Sequence, residues 1–308
     1  MWCSTHRKNP VFQALYDNGE AERFHETYAE VIERFRPEEV FVSGGEPLLY
    51  PGFEAWTRRI ASATASSIHV FTSYQFSRTV MDRVAEMDLP DTVILNHTPI
   101  YFEPERWHRL TQGFPFEVYL DNVRRAAKLP VRKRFKFIVN HGSLDDEIRR
   151  FRELVEPDDT SEITLKVVND QGDGLGVDTM QRTSDRVRER IGDLDGLLEG
   201  AGWKTARPRT SADRVKDIIA TGDVEGCPYR QEPLELRLAF YKGADGKYVL
   251  KYRYCPYFPP DFGHKLHIGR DSIEKMARNY RKGPFRDHCG RCRLLHYQTT
   301  DQAAAAEA

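Results

Sequence analysis

Between residue 11 and residue 168, short apolar runs alternate with amphipathic stretches, and this alternation constrains the fold more than any other feature of the sequence. In residues 11–36, Phe12, Leu15, Tyr16, Phe24, Tyr28, Val31, Ile32 and Phe35 recur near a helical period, with an interruption at Asn18-Gly19. Pro37 closes that helix, because the residue before a proline is pushed out of the helical region. Apolar runs predict strands at Val40–Ser43, Ile68–Thr72, Asp91–Asn96, Arg134–Asn140 and Glu162–Val168. Between them, helices are expected over Gly52–Thr64, from a Ser77 cap to Met87, over Phe116–Ala127, and from a capping sequence at Ser143-Leu144-Asp145-Asp146. His97–Phe114 reads as a longer excursion with two prolines and several aromatics. Strands separated by helices must cross over, so the expected sheet is parallel.

Composition narrows the class. A chain of 308 residues with 40% hydrophobic and 30% charged residues is long enough for one large core plus a smaller domain. A net charge of −1 gives no general attraction for nucleic acid or an anionic membrane, and Arg132-Lys133-Arg134 is too short a basic run to change that. No run approaches the ~18 apolar residues of a membrane span, and no signal peptide is visible, so a cytoplasmic protein is expected. Five cysteines make an odd, sparse set for a disulfide framework and suit metal or redox use better.

The pattern changes after residue 178. Residues 178–203 read as one or two charged amphipathic helices ending at Gly200-Ala201-Gly202, followed by a linker at Thr205–Ser211. Leu234–Tyr241 and Lys247–Tyr254 then alternate as strands do, with a hairpin turn at Gly243-Ala244-Asp245-Gly246. Cys227 precedes this hairpin, Cys255 ends it, and Cys289-Gly290-Arg291-Cys292 follows a helix expected near Ser272–Tyr280. Four thiolates, two of them in a C-x2-C pair, form a complete ligand set for one metal centre. The residues leave three readings open: an iron–sulfur cluster, a structural zinc, or four unrelated thiols. The tail, Asp301–Ala308, is low in complexity and is expected to fray.

A second motif lies in the first half of the chain. Val40-Phe41-Val42 runs into Ser43-Gly44-Gly45-Glu46-Pro47-Leu48. The glycine pair permits close approach of a ligand to the backbone, and Pro47 fixes the exit. Glu46 is thus aimed off the carboxyl end of a strand, where α/β sheets bind ligands, and a carboxylate there suits an ammonium group. An ordinary strand-to-helix turn is the plainer alternative.

Gly-Gly-Glu-Pro after an apolar strand resembles the motif of radical S-adenosylmethionine (radical SAM) enzymes, where it holds the cofactor's amino group. Met1-Trp2-Cys3 resembles the end of that family's C-x3-C-x2-C motif, whose three cysteines ligate a 4Fe-4S cluster. The two earlier cysteines and the family's first strand are expected to lie upstream of a truncated start. The resemblance implies a partial (β/α)6 TIM-like barrel lacking its first strand, an α/β fold, with a small C-terminal hairpin-and-helix cluster domain. It assigns Gly44, Gly45, Glu46 and Pro47 to the methionine end of the cofactor, Trp2 to the adenine, Asn96 and Asn140 to the ribose, and Cys3 to the first cluster. The cysteine–hairpin–cysteine–helix–C-x2-C order is similar to that family's auxiliary module, known as SPASM in its long form and twitch in its short one. It implies an auxiliary 4Fe-4S cluster on Cys227, Cys255, Cys289 and Cys292. The implied domains are a core at 1–204, an auxiliary module at 205–298 and a tail at 299–308.

The implied activity is that of an oxidoreductase: a 5′-deoxyadenosyl radical takes hydrogen from a small polar metabolite or a peptide, and the auxiliary cluster relays the electron. A flavodoxin or ferredoxin would supply reductant. The alternative is a catalytically inactive, metal-stabilised binding protein, since Cys3 alone cannot hold a cubane. The loop Asn169–Gly174 resembles a calcium loop without its glutamate and reads as substrate-facing. His97, His141, His264, His267 and His296 lie near turns or near the cysteine unit, and none carries a ligand pattern.

Overall fold

The computed structural model describes residues 20–43, 46–99, 102, 104–111, 113–138, 144–166, 196, 198–205, 237–242, 248–253, 264–266, 274, 275 and 278. The chain divides into two units, and the first holds a six-stranded parallel sheet. Its elements run α1 (Glu20–Phe35), β1 (Glu39–Val42), α2 (Phe53–Ala61), β2 (Ser67–Thr72), α3 (Arg78–Glu86) and β3 (Val93–His97). They continue with α4 (Pro104–Thr111), α5 (Phe116–Ala127), β4 (Arg132–Ile138), α6 (Leu144–Leu154), β5 (Ser161–Lys166) and β6 (Lys204–Thr205). A short 3-10 turn, Pro47–Leu49, lies between β1 and α2.

The sheet order is β1-β2-β3-β4-β5-β6, the order of the chain itself, and the sheet is open. Right-handed crossovers that always step in the same direction place their helices on the same face. The contacts agree. Ile68, Val70, Leu95, Phe135, Phe137 and Ile163 of the strands share one buried core with Trp56, Ile60, Val84, Val123 and Phe151 of the helices. The strands therefore end together at one rim, as in a partial TIM-like barrel.

Local sequence explains the boundaries. α1 stops where Arg36 turns left-handed (φ 46°) ahead of Pro37. The Ser77 hydroxyl caps α3 by accepting from the Val80 N–H at 3.4 Å. In α6, Ile148 and Phe151 form the inward face together with Val155 just beyond its end, all three buried. Phe151 packs against Phe135 and Phe137 of β4 at ring distances of 4.7 and 5.2 Å.

In the first unit two elements differ from expectation. α4 occupies part of the supposed excursion, because Pro104 sits at the first helical position, where its missing N–H costs nothing. Its Trp107 is fully buried and stacks on Tyr119 of α5 at 3.9 Å. A sixth strand, Lys204–Thr205, pairs in parallel with Glu162 and Ile163 at the place expected to begin a linker. The helix before it ends as expected: Gly202 is left-handed (φ 81°), and the Trp203 N–H closes on the Leu198 carbonyl at 3.0 Å.

In the second unit, β7 (Arg237–Lys242), β8 (Tyr248–Arg253) and β9 (His264–Leu266) form an antiparallel sheet in the order β7-β8-β9. Lys242 pairs with Tyr248, so β7 and β8 make the expected hairpin around residues 243–247. The third strand was not expected. Among the described residues no helix is long and apolar enough to cross a membrane.

Candidate active site at the strand rim

Glu46 follows β1 and leads into the 3-10 turn with an extended backbone (φ −133°, ψ 102°). Its Oε2 accepts two bonds from Ser73, the first residue past β2: one from the backbone N–H at 2.8 Å and one from the hydroxyl at 2.8 Å. Its Oε1 takes a long contact from the Leu48 N–H at 3.4 Å. A carboxylate offers about four acceptor positions, so Oε1 retains capacity for another donor. Burial pushes the Glu46 carboxyl above the ordinary carboxylate range, against the opposing pull of the bonds from Ser73, Thr72 and Leu48. A cation beside it would reverse that shift, and a primary ammonium group satisfies both the charge and the open acceptor.

The turn after Glu46 is held from α3. Arg83 Nη2 donates to the Leu48 carbonyl at 2.6 Å, and Leu48 itself is fully buried. Pro47 begins the turn, where its fixed φ is compatible with 3-10 geometry. One strand over, Tyr74 adopts a left-handed backbone (φ 55°), and its carbonyl accepts from Asn122 Nδ2 at 3.0 Å. The same nitrogen donates to the Phe76 carbonyl at 2.8 Å.

His97 does not face the ligand side of the sheet. It is buried between strands and helices, with Nδ1 donating to the Thr72 carbonyl at 3.1 Å and Nε2 accepting from the Tyr119 hydroxyl at 3.0 Å. Burial, opposed only by the Thr72 bond, lowers its pKa to about 4. It is a neutral structural histidine.

The opposite face of the sheet is polar and aromatic. Phe41 stacks on His69 at 4.7 Å and lies 6.3 Å from Phe71, while Lys136 Nζ stands 4.2 Å above the Phe71 ring. His69 Nε2 meets the Ser67 hydroxyl at 2.9 Å, and Arg134 pairs with Glu162. Burial, then the Arg134 charge, lowers the His69 pKa against Glu39. Asn96 is on this face. Its Nδ2 donates to the Ile94 carbonyl at 2.9 Å, and its buried Oδ1 has no hydrogen-bond partner among the described residues.

Of the residues assigned from the sequence, Glu46, Pro47 and Asn96 are therefore placed, the first two at the rim and Asn96 one residue short of the end of β3. Trp2, Cys3, Gly44, Gly45, Asn140, Cys227, Cys255, Cys289 and Cys292 lie outside the described residues, as does the loop Asn169–Gly174. Among the described residues no cluster of His, Cys, Asp or Glu is arranged to hold a metal ion. Ser73, Arg83 and Asn122 were missed. Ser73 carried a usable signal, since it immediately follows an apolar strand next to the motif. Asn122 carried another, as a polar residue within the apolar stripe of Tyr119, Val123 and Ala126.

An open parallel sheet with strand order equal to chain order defines an α/β fold of the partial-barrel type. The family model of the Radical SAM superfamily matches residues 2–155, and the chain belongs to that superfamily. No curated protein sequence matches it. Among solved structures, Streptococcus suis SuiB bound to S-adenosylmethionine is similar at 10% identity and a TM-score of 0.48, over 77% of this chain and 53% of that one. A second Streptococcus suis SuiB structure is similar at 10% identity and a TM-score of 0.38, over 59% of this chain and 42% of that one. The chain thus spans about half the length of the first of these structures.

Proposed function

We propose that this chain is a radical SAM oxidoreductase that binds S-adenosylmethionine with Glu46 as the seat of its ammonium group. The observation that carries the proposal is the Glu46 carboxylate at the strand rim, anchored through Oε2 and open at Oε1. The donor chemistry fits: a desolvated carboxylate with acceptor capacity to spare gains most from a cation. Gly44 and Gly45 would let the methionine end approach the backbone. Asn96 and Asn140 would serve the ribose, Trp2 the adenine, and Cys3 one iron of a 4Fe-4S cluster.

When bound, S-adenosylmethionine and a reduced cluster supply a 5′-deoxyadenosyl radical able to take a hydrogen atom from substrate. The contribution of the chain is position. Ser73 and Arg83 hold the Glu46 turn rigid, and the helix layer excludes water from beneath it. Residues 205–298 form the auxiliary module in this reading, of the short twitch type, with Cys227, Cys255, Cys289 and Cys292 as ligands of an auxiliary 4Fe-4S cluster. The β7–β8 hairpin that separates Cys227 from Cys255 supports that assignment. The substrate is a small polar metabolite or a peptide, and the electron donor a flavodoxin or ferredoxin type protein.

Two measurements test this. Calorimetric titration with S-adenosylmethionine should show binding that Glu46→Gln weakens by about tenfold or more, the size of one charge-assisted bond. Equal affinity in the two proteins would overturn the role of Glu46. Anaerobic iron and sulfide analysis should return about four irons attributable to the four C-terminal thiolates, lost in Cys289→Ser. Stoichiometric zinc in their place would leave a metal-stabilised binding protein.

A further inference from the structure

We propose that Asn122 and His97 are positioning residues that set the Glu46 carboxylate through the segment Thr72–Phe76. The inference rests on the reading of Glu46 as the ammonium site. Both bonds to Oε2 come from one residue, Ser73, and one of them comes from its backbone N–H. A backbone donor can be aimed only by fixing the chain on either side of it, and both sides are fixed from elsewhere in the fold.

On the upstream side, the Thr72 carbonyl accepts from His97 Nδ1 at 3.1 Å, and the Tyr119 hydroxyl donates to His97 Nε2 at 3.0 Å. Those two bonds select the neutral tautomer with its proton on Nδ1. On the downstream side, Tyr74 is left-handed, a conformation that a residue with a side chain keeps only when its surroundings impose it. The imposition is visible. Asn122 Nδ2 spends both of its protons on the carbonyls of Tyr74 and Phe76, while the buried Oδ1 of Asn122 has no hydrogen-bond partner among the described residues. The residue is used as a double donor, which neither aspartate nor an apolar residue can imitate. The Tyr74 ring is fully buried and lies 4.7 Å from the His97 ring, so the residue that Asn122 holds also packs against the upstream anchor. Asn122 and Tyr119 both belong to α5, and one helix thereby governs the backbone on both sides of Ser73.

The test uses the full chain and two probes, S-adenosylmethionine and 5′-methylthioadenosine, which has the nucleoside and sulfur but no ammonium group. His97→Leu and Asn122→Leu should each weaken S-adenosylmethionine about tenfold, the loss expected of a misaimed charge-assisted bond. Binding of 5′-methylthioadenosine should stay within about twofold of the parent. His97→Asn, whose amide can donate where Nδ1 did, should recover most of the preference, and Ser73→Ala should lose part of it. A merely structural role would move both probes together or neither, and either result overturns the proposal. Glu46→Gln separates the two layers. If it abolishes the preference while the His97 and Asn122 variants keep it, the positioning role fails and the Glu46 reading stands. If Glu46→Gln leaves the preference intact, both fail.

Discussion

Buried His97 and half-buried Glu46 are ionisable groups shifted in opposite senses, and their effects on stability oppose each other. His97 has its pKa lowered from 6.5 to about 4, so the unfolded chain binds its proton more readily between those values. The contribution of neutral His97 is complete above pH 6.5 and is lost as pH falls toward 4, a change of about 3 kcal/mol by linkage. Denaturant titrations at pH 7 and pH 4.5 should show that loss, and His97→Asn should flatten it. Glu46 is raised, so burying its charge costs stability at neutral pH and protonation relieves the cost. Binding of an ammonium ligand requires the carboxylate. The affinity for S-adenosylmethionine should therefore fall on acidification, beginning at a pH above the ordinary carboxylate range. Asp158 contributes in the acid limb. Burial would raise it, yet bonds from Lys133 and Thr160 hold it down at about 2.

At the scale of elements, α6 and β6 make contrasting cases. Phe151 is fully buried among Phe135, Phe137 and Trp203, and truncation to alanine should cost about 3–5 kcal/mol in a denaturation experiment. Gly202 meets only Pro157 Cγ at 3.6 Å when given a side chain, so Gly202→Ala pays for backbone strain alone. About 1–2 kcal/mol is expected from its left-handed φ, read as a lower midpoint at an unchanged denaturant slope. The same contrast explains what the sequence disclosed. The strands around residues 41, 70, 94, 137 and 165 announced themselves through apolar runs long enough to overcome local ambiguity. β6 is two residues long and takes its place from pairing with β5, which no local pattern encodes. α4 was hidden by Pro104, a residue that breaks helices in their interior but begins them well. Glu46 was legible because glycines and a proline mark its turn. Ser73 and Asn122 serve it from 27 and 48 residues beyond a shared segment or partner, and tertiary distance leaves only faint marks in a sequence.

Taken as a whole, the molecule joins a parallel sheet with its helices on one face to a smaller antiparallel unit. Parallel sheets bury both faces in most proteins. Here the face bearing Phe41, His69, Phe71, Asn96, Lys136 and the Arg134–Glu162 pair is polar and aromatic instead of aliphatic. The second unit invites a separate prediction. If Cys227, Cys255, Cys289 and Cys292 hold a cluster, oxidative destruction of that cluster should lower the thermal midpoint of the chain, because metal binding contributes folding free energy. Anaerobic melts of the reconstituted and the cluster-stripped protein make the comparison, and identical midpoints would remove the structural role of the cluster.

The double bond from Ser73 to Glu46 also bears on how mutation can reach this site. Half of the clamp is written in main-chain atoms, which no codon at position 73 except that of proline erases. A substitution survey confined to residues that touch the carboxylate would score position 73 as tolerant and miss how the site is maintained. On the positioning proposal its vulnerability lies instead in α5, where Asn122 holds the carbonyls of Tyr74 and Phe76, more than 40 residues earlier in the sequence.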